Sequence, residues 1–308
     1  MSEKNLPLGL SAGTRMVPHV PNQPFMVWSQ KNVLEVLRQG VLYIILIASS
    51  IPFVFPLLFM LSTSVKSKGE VLLIPIRWIP SQFLWSNYYD AMFGFVPLYL
   101  FMWNTVKVVG GSLIGDVLVC ALVGYAFARL RAPGRDILFL IVLSTMMLPG
   151  QVVLIPTYIL FRYLHLLDTH WSLILPNLLA GSAFFIFLFR QFFQTISPEL
   201  ADAAKIDGCG LFGVFWRIYL PLSRPALATV AIFSFFNNWN NFLWPLILID
   251  TNEKYTLAVG LKLFQGAHTT EFPLLMAASV ITLTPCLILF FSAQRYFIQG
   301  VVVSGLKG

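Results

Sequence analysis

Charge is what this chain has least of. Asp, Glu, Lys and Arg make up 11% of its 308 residues while 57% are hydrophobic, against about 25% charged residues in ordinary soluble domains. A chain so short of charge cannot cover a water-facing surface, which excludes a conventional soluble enzyme. Cysteine is nearly absent too: Cys120, Cys209 and Cys286 are odd in number and far apart, so neither a disulfide framework nor a cysteine metal spacing results. The four histidines, His19, His165, His170 and His268, include no pair at i, i+4 and no HExxH arrangement, which excludes a zinc hydrolase of that type. His165 and His170 fall in LHLLDTHW and read as exposed loop residues. The net charge of +7 forms no basic patch with interleaved aromatics, so it does not indicate nucleic-acid binding. Gly300, Gly305 and Lys307 in GVVVSGLKG lack the direct Gly-Lys-Ser/Thr succession of a phosphate-binding loop. If ATP drives anything here, another subunit must bind it.

What the chain has instead is apolar length. Six runs, about 41–63, 101–128, 137–160, 172–194, 223–249 and 273–293, are each long enough to cross a hydrocarbon core about 30 Å thick. All six should be helices, because backbone polar groups in lipid must be satisfied within the segment. With the N-terminus inside, 13 of the 20 lysines and arginines fall on inner segments, so the bias of basic residues towards the cytoplasm puts both termini there. Residues 1–40 read as a polar, proline-rich cytoplasmic tail without a cleavable signal, 41–296 as the transmembrane domain, and 297–308 as a second cytoplasmic tail. The connection from about 64 to 100, with its Pro, Trp and Tyr residues, suits an outer interfacial segment.

Polar residues inside the runs stand out. Asp116 lies near the middle of the second run, where an acid costs on the order of 3 kcal/mol on insertion scales. It is either part of a transport path or a buried acid satisfied by a neighbouring helix. Gly111 and Gly115 form a GxxxG spacing suited to close helix packing. In the fifth run, SFFNNWNNFLWPL places Asn237, Asn240, Asn241 and Trp244 at i, i+3, i+4 and i+7, one face of a continuous helix. Those amides either bond to neighbouring helices or line a path for a polyhydroxylated solute, since amides donate and accept and indoles cover apolar sugar faces. Pro52, Pro56, Pro149, Pro156, Pro176, Pro245 and Pro285 interrupt the runs, as expected where helices bend or line cavities.

One polar stretch separates the fourth and fifth runs: PELADAAKIDGCGLFGVFWRIYLP, 198–221. Ser197 as N-cap, Pro198 at the first helical position and Glu199 in the first turn open a short helix, and Gly208 offers its stop. Ala201, Ala203 and Ala204 keep it slim, and Glu199 and Asp202 give it an acidic side. A helix this short needs outside support, and LFGVFWRIYLP reads as an amphipathic brace beneath it.

This segment resembles the EAA loop, here about 197–221, of the membrane subunits of bacterial ABC importers, in particular the MalG-like permeases of binding-protein-dependent sugar uptake. YAFARLRAPGR from Tyr125 to Arg135, MLP ending at Pro149, LLDT at 166–169, WNNFLWPL at 239–246 and the terminal GLKG extend the resemblance over about 40–308. Two departures are present: Asp202 stands where the family usually has Glu, with Cys209 for a small Ala, and Asn241 stands where it usually has Asp. The resemblance implies an all-α, six-helix permease of the type I importer fold in the bacterial cytoplasmic membrane, with no catalysis and no cofactor of its own. It implies a second, different permease subunit, two ATPase subunits carrying ATP and Mg, and an extracytoplasmic solute-binding protein. Glu199, Asp202, Ala203, Ala204, Asp207 and Gly208 would couple to the ATPase, and Asn237, Asn240, Asn241, Trp244 and Asp116 are candidates for the solute path. The alternative, an ion- or proton-coupled secondary transporter, calls for several ionisable groups in mid-membrane, and the runs offer only Asp116.

Overall fold

The computed structural model describes residues 30–71, 73–94, 96–266 and 270–305, with side chains from 35 to 294; the expected N-terminal tail up to residue 29 and the terminal 306–308 lie outside the described residues. Helices dominate, and an isolated bridge between Gln265 and Thr270 is the sole β pairing among the described residues. Four helical stretches are long and apolar enough to cross a membrane: Glu35–Ser64, Leu98–Arg129, Trp171–Thr195 and Phe272–Gln294. Two bent pairs raise the number to six if each pair counts as one span.

The first helix, α1, runs Gln30–Ser64 and keeps its large apolar side chains exposed, Phe53 at 80%, as a lipid-facing helix does. The second, α2, runs Leu98–Arg129 with a π-helical turn at Gly115–Val119 that contains Asp116. Next come α3, Arg135–Thr145, and α4, Gly150–Tyr163, bent by 100° at the Met146–Pro149 break; here the missing N–H and fixed φ of Pro149 end one helix and open the other. Then follow α5, Trp171–Leu179, and α6, Ala183–Thr195. The short helix α7, Pro198–Ile206, stands at the far end of α6. It leads into α8, Leu211–Leu222, and α9, Arg224–Trp239, which meet at 79°. The short α10, Leu243–Leu248, and the long α11, Phe272–Gly305, complete the set.

The fifth apolar run is therefore not one helix. It stops at Trp239 and restarts at Leu243, and the asparagines supply the physical reason. The Asn240 amide donates to the Phe236 carbonyl at 2.9 Å, and Asn241 Oδ1 accepts the Trp244 backbone N–H at 3.4 Å. The Asn240 amide shares the Phe236 carbonyl with its own backbone N–H, at 3.2 Å, the Asn241 side chain takes a bond that a helical carbonyl would otherwise accept, and Pro245 cannot donate one. The GxxxG pair behaves as expected: a Cβ on Gly111 would lie 2.8 Å from Ile174 Cγ2, and one on Gly115 only 2.3 Å from the Asn177 carbonyl oxygen, so α2 and α5 touch backbone to backbone.

Three packed clusters result among the described residues, one of them joining Leu98, Phe101, Trp239, Leu257, Phe264 and Ala277; the other two frame the Trp171–Thr195 span. At the α7 end, Tyr125, Phe189, Phe193, Val214, Phe215 and Tyr219 form one buried cluster. At the opposite end of the Trp171–Thr195 span, Val108, Phe161, Leu173, Ile174, Leu248 and Ile249 form another.

Candidate functional site

A cavity of about 610 Å³ opens between α4, α5, α9 and α10. Thr157 and Phe161 contribute from α4, Ser172 and Asn177 from α5, Asn237 and Asn238 from α9. Asn240 and Asn241 join from the helix break and Trp244 from α10. Among the described residues, no charged side chain lines it. The wall offers carboxamides, hydroxyls and aromatic faces, groups that donate, accept and cover apolar surface without imposing a charge. The four residues expected on one helical face all reach the cavity, but through the break rather than along a continuous helix. Periodicity passed over Asn177 and Asn238. The available signal was LILPN, an asparagine directly after Pro176 inside an otherwise apolar run.

Asp116 does not line the cavity. It is 2% exposed and sits behind the wall, where its Oδ2 accepts from the Ser234 hydroxyl at 2.7 Å. Its Oδ1 is buried without a hydrogen-bond partner among the described residues, an arrangement that costs about 1–3 kcal/mol. Ser234 in turn accepts from the Asn238 amide nitrogen, at 2.9 Å on its carbonyl and 3.3 Å on its hydroxyl. Asn177 Nδ2 approaches Asn238 Oδ1 at 3.5 Å. The acid thus connects through Ser234 to Asn238 of the cavity wall, from below its surface.

A clasp closes the same end of the bundle. Asp168, at φ 55°, accepts at Oδ1 from the backbone N–H groups of Asp250 (3.1 Å) and Thr251 (2.9 Å), and at Oδ2 from the Thr251 hydroxyl and the Lys254 ammonium, each at 2.6 Å. The Lys254 and Thr251 bonds hold its carboxyl well below the usual carboxylate range, because each favours the charged form. His170 is not a free loop residue: its Nε2 lies 2.9 Å from the Lys254 carbonyl, and burial lowers its basicity. His165 is exposed. The LLDT motif is therefore a fastening between two loops.

At the far end, local chemistry shapes α7 as expected. The Ser197 hydroxyl accepts the Glu199 N–H at 3.3 Å, and Pro198 opens the helix. Gly208 has φ +82° with nothing within 4 Å of a Cβ, so conformation rather than space demands glycine there. Gly208 N–H bonds to the Lys205 carbonyl and Cys209 N–H to the Ala204 carbonyl, both at 2.9 Å, the paired bonds of a Schellman motif. Ala201 is buried and Ala204 half-buried against the aromatic cluster. Glu199, Asp202, Ala203, Asp207 and Gly208 are exposed. Asp202 also pairs with Lys205 at 2.9 Å, a solvent-screened contact of little energetic weight. Beside the acids stand exposed apolar groups: Ile206 at 87%, Phe212 at 63%, Leu211 at 55% and Leu200 at 47%.

The seating of α7 comes from a residue that sequence reading used only as part of a motif. Arg129, at the end of α2, donates from Nη2 to the Phe193 carbonyl at 2.6 Å and to the Ile196 carbonyl, and from Nε to the Phe193 carbonyl at 3.2 Å. It thereby closes the last carbonyls of α6 directly before α7, and its guanidinium lies 5.3 Å from the Tyr219 ring centre. Tyr125 adds a bond from its hydroxyl to the Leu211 carbonyl at 3.3 Å. Beneath α7, Val214, Phe215 and Tyr219 of α8 are buried while Leu211, Phe212 and Trp216 are exposed, the amphipathic brace expected from the sequence.

Residues 120–303 match the family described as binding-protein-dependent transport system inner membrane component. The chain is 38% identical over 257 residues to the arabinooligosaccharides transport system permease protein AraQ of Halalkalibacterium halodurans, covering 83% of this chain and 91% of that one. It is 32% identical to the lactose transport system permease protein LacG of Rhizobium radiobacter, covering 85% and 94%. It is 33% identical to the sn-glycerol-3-phosphate transport system permease protein UgpE of Yersinia pestis, covering 85% and 95%. Among solved structures, a bacterial ABC transporter involved in the import of the acidic polysaccharide alginate superposes with a TM-score of 0.74 at 26% identity, over 89% of this chain and all of that one. With the break-lined cavity and the capped short helix in place, these matches show that the chain belongs to the family of binding-protein-dependent transport system inner membrane components.

Proposed function

We propose that this chain is the non-catalytic permease subunit of an ABC importer for a sugar or oligosaccharide. The observation that carries the substrate class is the uncharged cavity of about 610 Å³, whose carboxamides and indole suit a polyhydroxylated solute. Relatives named for arabinooligosaccharide and lactose transport support the same class. The chain sits in the bacterial cytoplasmic membrane with both termini inside, its transmembrane domain spanning 41–296 between the two tails. It pairs with a different permease subunit, receives solute from an extracytoplasmic binding protein, and leaves ATP and Mg to two partner ATPase subunits.

Coupling runs through α7. Glu199, Asp202, Ala203, Ala204, Asp207 and Gly208, with the exposed Leu200 and Ile206, meet the ATPase. The Arg129 bonds and the aromatic floor pass its displacement into α2 and α6 as a rigid-body motion, which a packed interface transmits because it does not deform continuously. Asn237, Asn240, Asn241 and Trp244 line the solute path.

The test is uptake of radiolabelled arabinotriose and lactose into proteoliposomes holding the complete complex. Uptake of one of them that vanadate abolishes and a protonophore leaves intact is expected. Loss with the protonophore and survival of vanadate would make the chain a secondary transporter.

A further inference from the structure

The buried acid behind the cavity has no part in the coupling just described, yet one of its oxygens is held by a bond that leads back to the wall. We propose that Asp116 is a positioning residue for the cavity. Through Ser234 it fixes the Asn238 amide with its carbonyl oxygen towards the solute, and so selects uncharged hydroxylated solutes over anions. This rests on the reading of the cavity as the solute path.

The orientation follows from hydrogen-bond chemistry. The Ser234 carbonyl can only accept, so the atom of Asn238 that meets it at 2.9 Å is the amide nitrogen. The Ser234 hydroxyl gives its proton to Asp116 Oδ2 at 2.7 Å, which leaves its lone pairs to receive the same Asn238 nitrogen at 3.3 Å. Both contacts place the Asn238 nitrogen inward and its Oδ1 outward, beside Asn177 Nδ2 on the cavity wall. At 3.5 Å, that amide-to-amide contact is at the limit of a hydrogen bond. A solute hydroxyl can replace it, because a hydroxyl donates to Asn238 Oδ1 while accepting from Asn177 Nδ2. A carboxylate or phosphate oxygen cannot donate, and it would face a fixed carbonyl oxygen with no cationic side chain on this wall to offset the repulsion. Without Asp116 or the Ser234 hydroxyl, the Asn238 nitrogen keeps the Ser234 carbonyl at 2.9 Å but loses the aligned second anchor at 3.3 Å, so the amide is held less firmly against the solute.

The experiment measures uptake kinetics of arabinotriose, lactose and glycerol 3-phosphate in proteoliposomes holding the complete complex. Wild type is expected to take up a neutral sugar and not glycerol 3-phosphate. Ser234→Ala and Asp116→Leu are expected to raise KM for that sugar about 3- to 10-fold, the value of one oriented hydrogen bond, with the maximal rate within about two-fold. Asp116→Asn, whose amide oxygen still accepts from Ser234, is expected to keep the wild-type KM; a general packing defect would not discriminate between Asn and Leu. Ser234→Ala keeps the test open if Asp116→Leu does not insert. An unchanged KM in Ser234→Ala overturns the positioning role, and uptake of glycerol 3-phosphate in place of the sugars overturns the selectivity. Asn177→Leu separates the two readings. A raised KM there with none in Ser234→Ala removes only the relay, while an unchanged KM in Asn177→Leu removes the cavity as the solute path.

Discussion

The two ends of the span Trp171–Thr195 solve opposite problems. At the α7 end, both ends of a nine-residue helix are capped locally, by Ser197 at one end and the Gly208 motif at the other. Its buried side rests on aromatic rings locked by Arg129. At the cavity end, helices are broken on purpose. The ladder stops after Asn240, where the Asn241 side chain accepts the Trp244 N–H, and the asparagines around the break expose carboxamides to a space of about 610 Å³. One end is capped and closely packed, and the other is open and lined with polar groups.

The sharpest way to break this contrast is at the stiff end. Ala203→Trp places a large ring on the exposed face of α7, and uptake should fall by more than about ten-fold, consistent with steric loss of a packed contact. The chain should still insert and ATP hydrolysis should continue uncoupled; unchanged uptake with the ATPase still bound would refute the assignment of that face. Arg129→Met removes three charge-assisted bonds to the end of α6 and should destabilise by about 2–3 kcal/mol, read as a lowered midpoint of thermal unfolding in detergent. Gly208→Ala should cost about 1–2 kcal/mol through its left-handed conformation alone, since there is open space for the methyl group. If Gly208→Ala were neutral, the cap would not be what ends α7.

The smallest effect belongs to the clasp. The Asp168 carboxyl is depressed in the folded chain, so its contribution is present above the unfolded value of about 3.9. It is lost as pH falls below that towards the folded value. Wild type should melt at a higher temperature than Asp168→Asn at pH 6, and the gap should begin to narrow once the pH falls below about 4 and go on narrowing towards the folded value. A gap unchanged between about pH 6 and pH 3 would mean that the ionised clasp contributes nothing.

What could be read from the sequence follows the same division. The helix α7 was legible because Ser197, Pro198 and Gly208 act on their own neighbours, and local chemistry needs no knowledge of the fold. Asn237, Asn240, Asn241 and Trp244 were legible as a polar group at membrane depth, yet the continuous helix assumed for them failed, because periodicity counts residues and does not weigh an amide's competition for a carbonyl. Asn177 and Asn238 were invisible as a pair, since α5 and α9 bring them together from distant parts of the chain. Asp168 was legible as part of LLDT, but its partners at Asp250, Thr251 and Lys254 lie 82 to 86 residues further along the chain. The run at 137–160 showed its break at Pro149 and not the 100° it turns through.

The apolar face of α7 and α8 carries a consequence for the life of the chain before it has partners. Ile206 at 87% and Phe212 at 63% exposure stand beside the acids of α7. If the proposed ATPase contact is made at this face, a subunit lacking that partner leaves an apolar surface uncovered, which is an aggregation liability.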